Sequence, residues 1–433
     1  MSDYLFAVLD AGGAVPPVLS VAGSLVERGH DVRVLTDPVV RAEVEAVGAR
    51  HVPWTHGPHR HVRNKETDIA KDWQARTPVG AMATTRDGFM VGPAAEFARD
   101  TLDELARQPA DAVVSEMLPF GAMIAGQAAG VPVAVLFTTV LPLPVPGRPP
   151  FGPGFMPARG LPGRLRDAGV GRLSGAMWNK ALPRLNATRA AHGLEPLGHV
   201  FDQIGGTDRM LVLTSEAFDF PAAELPPHVR YVGPRLADPA WAEEWTPPPG
   251  DEPLVLVGMS STYQKHTGLL DRVAEALGRL PVRGLITTGP AVAPEEVSAP
   301  ANVTVVRSAP HAQVLEHAAA VVTHAGHGTV IKSLAQGVPV VALPIGRDQP
   351  DVAARLVASG AGLRLRPGSP ARRIAAAVER VLDEPSFRAA AARLADAIAS
   401  EVAQDRAAAE LEALVEESAT AAPMATSATA AAT

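Results

Sequence analysis

Two stretches of this chain repeat one pattern about two hundred residues apart. Ala112-Val113-Val114-Ser115 matches Ala320-Val321-Val322-Thr323, and Ala129-Gly130-Val131-Pro132-Val133 matches Gln336-Gly337-Val338-Pro339-Val340. The offsets are 208 and 207, so nearly one register is kept. Each pair brackets a helix-length segment between two short, Val-rich apolar runs. Such runs read as strands buried on both faces, and strand, helix, strand in that order implies a parallel sheet. Any two units of this kind look alike in outline; it is the shared register that favours one architecture used twice. The superposition also sets Glu116 opposite His324. Both follow the carboxyl end of a strand, where open α/β sheets place their ligand chemistry.

The rest of the chain fits that alternation. Tyr4–Leu9 reads as a strand ending in Asp10-Ala11-Gly12-Gly13, residues 17–28 as a helix closed by Gly29, and Val32–Thr36 as a second strand. Residues 51–78 lack clean periodicity and read as a long loop beside a site. Residues 141–163 are rich in Pro and Gly and read as an ordered loop over a cleft. Past residue 250 strands are expected at Leu254–Gly258, Val282–Thr287, Val303–Val306, Ala320–Thr323 and Val338–Leu343. Helices are expected at 268–279, 328–335, 350–358, 370–382 and 386–416. The expected division is an N-terminal half over 1–235, a linker over 236–250, a C-terminal half over 251–400, a helix end over 401–417 and a disordered Ala/Thr/Ser tail over 418–433.

Composition narrows the function. The 433 residues include no Cys, which removes disulfides, thiolate metal centres and thiol catalysis. Net charge is −7 with no basic block, so a nucleic-acid partner is not expected. The uncharged stretch from Met117 to Gly147 is broken by Pro119, Gly121, Gly126, Gly130, Pro132 and Pro142, too often for a membrane span. The N-terminus reads as a strand and not as a secretory leader, so a cytoplasmic location is expected.

The densest chemistry lies in residues 307–349. His324 ends a strand, and Ala325-Gly326-His327-Gly328-Thr329 turns into a helix. Small residues let backbone N–H groups approach an anion at the helix N-terminus, where the dipole favours negative charge. His324 and Thr329 add side-chain donors. A glycine turn with a structural histidine would look the same in isolation.

Its surroundings decide the matter. Ala309-Pro310-His311, the His324–Thr329 turn and Asp348-Gln349 together resemble the donor signature of the GT-B nucleotide-sugar glycosyltransferases that modify macrolides, aromatic polyketides and flavonoids. The resemblance runs to about residue 415 and includes the loops at 12–17, 142–157 and 258–262. It implies an α/β fold of two Rossmann-like parallel-sheet domains facing across a cleft. It implies donor contacts at Ser260, Ser261, Thr262, Thr288, Gly289, Ala309, His311, His324, Gly326, Gly328, Thr329, Asp348 and Gln349. His324 would hold the pyrophosphate and Asp348 and Gln349 the sugar hydroxyls. No metal and no cofactor are implied, since the UDP- or dTDP-sugar is a co-substrate and the other partner is a hydrophobic small-molecule acceptor.

Three positions depart from the family pattern. Ser308 stands where many members stack a tryptophan on the base. Lys332 stands where many place a glutamate on the ribose, which disfavours a UDP donor recognised through its 2′-hydroxyl. Ala14, in Gly12-Gly13-Ala14-Val15-Pro16-Pro17, stands where the family keeps a histidine base, while Glu116 retains the acid that normally orients it. Three explanations compete: an introduced His→Ala replacement, Glu116 as the base itself, or binding without turnover. A base from the His56–His61 loop is a further source; those histidines read as solvated and not as a metal cluster. Trp54, Trp73, Met82, Phe89, Met90, Met117 and Phe120 are candidates for an acceptor wall or for plain core. The expected activity is inverting transfer of a hexose or deoxyhexose. Alternatives are a sugar-nucleotide epimerase or hydrolase, or a catalytically silent nucleotide-sugar binder.

Overall fold

The computed structural model describes residues 1–69 and 71–421. The strands are β1 (Asp3–Ala7), β2 (Asp31–Thr36), β3 (Arg50–Pro53), β4 (Ala112–Glu116), β5 (Val133–Phe137), β6 (Arg209–Val212), β7 (Val229–Tyr231), β8 (Leu254–Gly258), β9 (Arg283–Thr287), β10 (Val303–Val306), β11 (Ala318–Thr323), β12 (Val340–Ala342) and β13 (Gly362–Arg364). They form two sheets, ordered β3-β2-β1-β4-β5-β6-β7 and β10-β9-β8-β11-β12-β13. Every pairing is parallel. Counted from β1 and from β8, the first six strands of each sheet take the same spatial order. The repeated segments are β4–β5 and β11–β12, so the duplication legible in the sequence is one of topology.

Each sheet is covered on both faces, which is why its central strands are mostly apolar on both sides. In the first, Leu5 and Ala7 pack on one face with Phe97, Phe120 and Met123, and Tyr4 and Phe6 on the other with Val18, Ala22 and Leu25. In the second, Leu254 and Leu256 face Val330 and Leu334, while Val255 and Val257 face Leu270 and Ile374. Helix Arg406–Ala421 crosses back and places Ala407, Ala408, Leu411 and Leu414 in the Tyr4–Phe6 layer. Glu412 meets Arg28 at 2.9 Å and His30 at 3.0 Å, tying the chain's end to the first half.

Several expectations change. β3 lies inside the stretch read as loop; it is a four-residue edge strand, Arg-His-Val-Pro, too short and polar to show alternation. The helix expected over 386–416 is two, Pro385–Val402 and Arg406–Ala421, separated where Asp405 adopts φ +40°. The tail expected from 418 is helical as far as Ala421, and the remainder lies outside the described residues. The amphipathic helix Ala94–Arg107 was not anticipated. Among the described residues no helix is long and apolar enough to cross a membrane.

Candidate active site

The carboxyl ends of both sheets open onto one cavity of about 1760 Å³. From the second sheet, the loop after β8 brings Ser260 and Ser261, the loop after β9 brings Gly289, and the turn after β11 brings His324, Gly326, Gly328 and Thr329. Helix His327–Ala335 is capped by Gly326, and its first intrahelical bond is Val330 N–H to the Gly326 carbonyl at 3.1 Å. The N–H groups of 327–329 therefore have no intrahelical acceptor and stand at the cavity wall, as an anion site requires. Gly326 must be glycine: a Cβ there would come within 2.6 Å of the His324 ring nitrogen. His324 is deeply buried, and burial, reinforced by His266 and Arg347, pushes its pKa down to about 3. Its imidazole is neutral near pH 7 and offers an N–H, not a full charge.

The loop after β12 is braced internally. The Gln349 carbonyl accepts Ile345 N–H at 2.7 Å and Gly346 N–H at 3.0 Å, and its amide donates to Gln264 at 2.9 Å. One amide hydrogen is left for a ligand. Asp348 accepts the Thr139 hydroxyl at 2.6 Å, and burial raises its pKa. Arg347, at φ +57°, grips Asp72 through two nitrogens at 2.7 and 3.0 Å and donates to Thr262 at 2.8 Å. It thus joins the long loop of the first half to the second.

The first half contributes Ala14 at the N-terminus of helix Val15–Glu27 and Glu116 at the end of β4. Glu116 is fully buried and accepts Leu118 N–H at 2.9 Å. Burial raises its pKa from 4.5 to about 7, against the lowering effect of the Leu118 and Met117 N–H groups. Asp10, Glu43, Asp72, Asp167 and Asp238 also line the cavity, but each pairs with an arginine or lysine. Among the described residues lining the cavity, Glu116 and Asp348 have no such partner; Asp348 takes the Thr139 hydroxyl on the second-sheet side, so Glu116 is the carboxylate of the first half left to exchange a proton. The flanking wall is apolar, built from Met82, Phe89, Met90, Trp73, Met117 and prolines of the 142–153 loop.

A curated relative, the 4'-demethylrebeccamycin synthase of Lentzea aerocolonigenes, is 35% identical over 408 residues, covering 92% of this chain and 95% of its own. The chain belongs to the GT-B glycosyltransferases of natural-product biosynthesis. The family model described as erythromycin biosynthesis protein CIII-like, C-terminal domain, matches residues 272–414. Solved structures agree on the fold. The glycotransferase of kitacinnamycin superposes with a TM-score of 0.75 at 23% identity, covering 95% of this chain and 98% of that one. VinC, solved with dTDP, superposes with a TM-score of 0.62 at 19% identity, covering 96% and 100%. Membership in a glycosyltransferase family displaces the epimerase, hydrolase and silent-binder readings.

The glycosyltransferase cavity brings together most residues singled out from sequence: Ala14, Glu116, Ser260, Ser261, Gly289, Ala309, His311, His324, Gly326, Gly328, Thr329, Asp348 and Gln349. Thr262 and Thr288 are not at its wall. Thr262 is buried beneath Arg347 and Ser260, and Thr288 is turned into the protein one residue past β9. Thr287 lines the cavity instead and meets His311 Nε2 at 3.0 Å; neighbouring positions on an extended chain point to opposite sides. Trp54 and Phe120 are core, while Trp73, Met82, Phe89, Met90 and Met117 reach the cavity. Residues 56–63 supply arginines, not histidines, to the cavity: Arg60 and Arg63 reach Asp10 at 2.9 and 2.8 Å, whereas His56, His59 and His61 are not at the wall. His199 does line the cavity, but its Nδ1 accepts Phe201 N–H at 3.1 Å, so the neutral ring carries its proton on Nε2. Sequence reasoning missed Arg347, although it directly precedes Asp348-Gln349, and Asp238, which no motif marks.

Proposed function

We propose that this glycosyltransferase moves a hexose or deoxyhexose from a UDP- or dTDP-sugar to a hydrophobic natural product, with inversion at the anomeric carbon. The reading rests on one cavity with two unlike walls: free helix N–H groups and polar side chains from the second sheet, an apolar wall with a single unpaired buried glutamate from the first. The dTDP bound to VinC supports the donor class, and the rebeccamycin and kitacinnamycin enzymes support the acceptor class.

Glu116 acts as the base. It takes the proton of an acceptor hydroxyl as the oxygen attacks the anomeric carbon. The bond from that carbon to the β-phosphate oxygen breaks, and the diphosphate leaves with the electron pair. The N–H groups of 327–329 and the His324 imidazole receive the charge that develops on it. A base works best with a pKa near the working pH, which burial provides here. A carboxylate still removes an alcohol proton poorly, so the reading favours acceptors with an acidic phenol. Purified protein incubated with UDP- and dTDP-sugars and polyphenolic acceptors, followed by mass spectrometry, tests it. Acceptor mass should rise by one sugar residue with the natural chain and not with Glu116→Gln. Donor hydrolysis without any glycoside across the panel overturns the proposal.

A further inference from the structure

The family-pattern departure at Lys332 leaves a cation where a nucleoside would lie, and the fold answers it from another part of the chain. Lys332 is four residues past Gly328 on helix His327–Ala335, on the same face and one turn from the free N–H groups. Its ammonium donates to Asp238 Oδ1 at 2.6 Å. Asp238 Oδ2 accepts Ala312 N–H at 2.9 Å. Asp238 belongs to the segment between β7 and β8, which the sequence marks only as a linker. Both side chains are largely buried, 13% and 15% exposed, and both line the cavity beside His311.

A carboxylate offers about four lone-pair positions. Two are used here, so one remains on each oxygen, in a cavity wall already anchored from two directions. The ammonium neutralises the carboxylate's charge through one of its oxygens. A pentose lying about one helical turn, roughly 5 Å, along the helix from a diphosphate on its first turn would meet this pair. The hydroxyls of a pentose are donors that such a carboxylate accepts.

We infer that Asp238 is the pentose-hydroxyl acceptor of the donor site, held in place by Lys332, and that the linker therefore completes the nucleotide pocket. This rests on the donor reading above. The 3′-hydroxyl, common to ribose and 2′-deoxyribose, is the group every candidate donor presents. Lys332 is a positioning residue and Asp238 the pentose-binding one.

Calorimetry with dTDP, UDP and their 3′-deoxy analogues tests the assignment. The natural chain should bind the 3′-hydroxyl nucleotide about tenfold or more tighter than its 3′-deoxy analogue, as expected for a hydrogen bond to a charged group. In Asp238→Ala that ratio should fall to about one, because the loss falls only on the ligand carrying the hydroxyl. Asp238→Asn keeps shape while removing charge and should lower the ratio severalfold, an answer that survives if the alanine variant misfolds. Comparing two ligands on one protein cancels any general damage to the fold. A ratio unchanged by both variants, or equal loss for both ligands, overturns the assignment of Asp238. A natural chain that binds none of the four nucleotides overturns the donor reading itself, and the inference with it.

Discussion

Glu116→Gln should make this enzyme more stable and inactive, and the stability gain should depend on pH. Burial moves the Glu116 pKa from 4.5 to about 7. Each tenfold change in proton affinity is worth about 1.4 kcal/mol, so ionised Glu116 weakens the fold by about 3 kcal/mol. Below pH 4.5 the carboxyl is protonated in both folded and unfolded chains and exerts no pH-linked effect. Between pH 4.5 and 7 the unfolded chain has released a proton that the folded chain still holds, so stability falls as pH rises. Above 7 both are ionised and the penalty is complete. Glutamine keeps an oxygen for Leu118 N–H, now at 2.9 Å, and never ionises. Denaturant melts of both chains from pH 4.5 to 8.5 should therefore diverge by about 3 kcal/mol, the variant being the more stable at the upper end. Over the same range kcat/KM of the natural chain should climb with one ionisation near 7, and the variant should lose about 10²–10⁴-fold. A stability difference that is flat with pH, or a natural chain more stable at pH 8, would refute the account of Glu116 as a buried, unpaired carboxylate.

Three other outcomes are expected. Ala14→His should leave transfer to a simple alcohol nearly unchanged, because Glu116 is itself the base, and activity on phenols should be lost in Glu116→Gln; a gain of about 10²–10⁴-fold in Ala14→His would instead make Glu116 only the orienting acid of a missing base. His324→Ala should weaken nucleoside diphosphate binding by about 1 kcal/mol, the lower end for a hydrogen bond because the imidazole is neutral before binding; unchanged affinity in calorimetry removes His324 from the pyrophosphate site. Asp219→Ala should cost about 3–5 kcal/mol in chemical denaturation, since it strands Arg355 at 2.5 Å and Arg148 at 3.1 Å, both buried. Because these cations, with the Tyr231 hydroxyl, hold the Asp219 pKa below its usual 3.8, its contribution should be present above that pH and disappear on further acidification.

The alternation of Val-rich runs with helical spans determined the two parallel sheets, since a strand buried on both faces is apolar along most of its length. The β4–β5 and β11–β12 repeat placed Glu116 and His324 at corresponding strand ends, and the structure puts both at one cavity. Local pattern served well there because the turn after β11 is short and its chemistry is contiguous. It failed at β3, at the break near Asp405 and at Thr288, where a few residues without strong periodicity take their conformation from their neighbours. Tertiary structure alone decided which distant groups meet. Lys332 finds Asp238 across 94 positions, Arg347 finds Asp72 across 275, and helix Arg406–Ala421 returns to the first sheet. Periodicity states which face of an element is buried, but not against what. Pairing between remote charges depends on the packing of whole halves, and it was this packing that set a linker carboxylate beside Lys332 and left Glu116 without a partner.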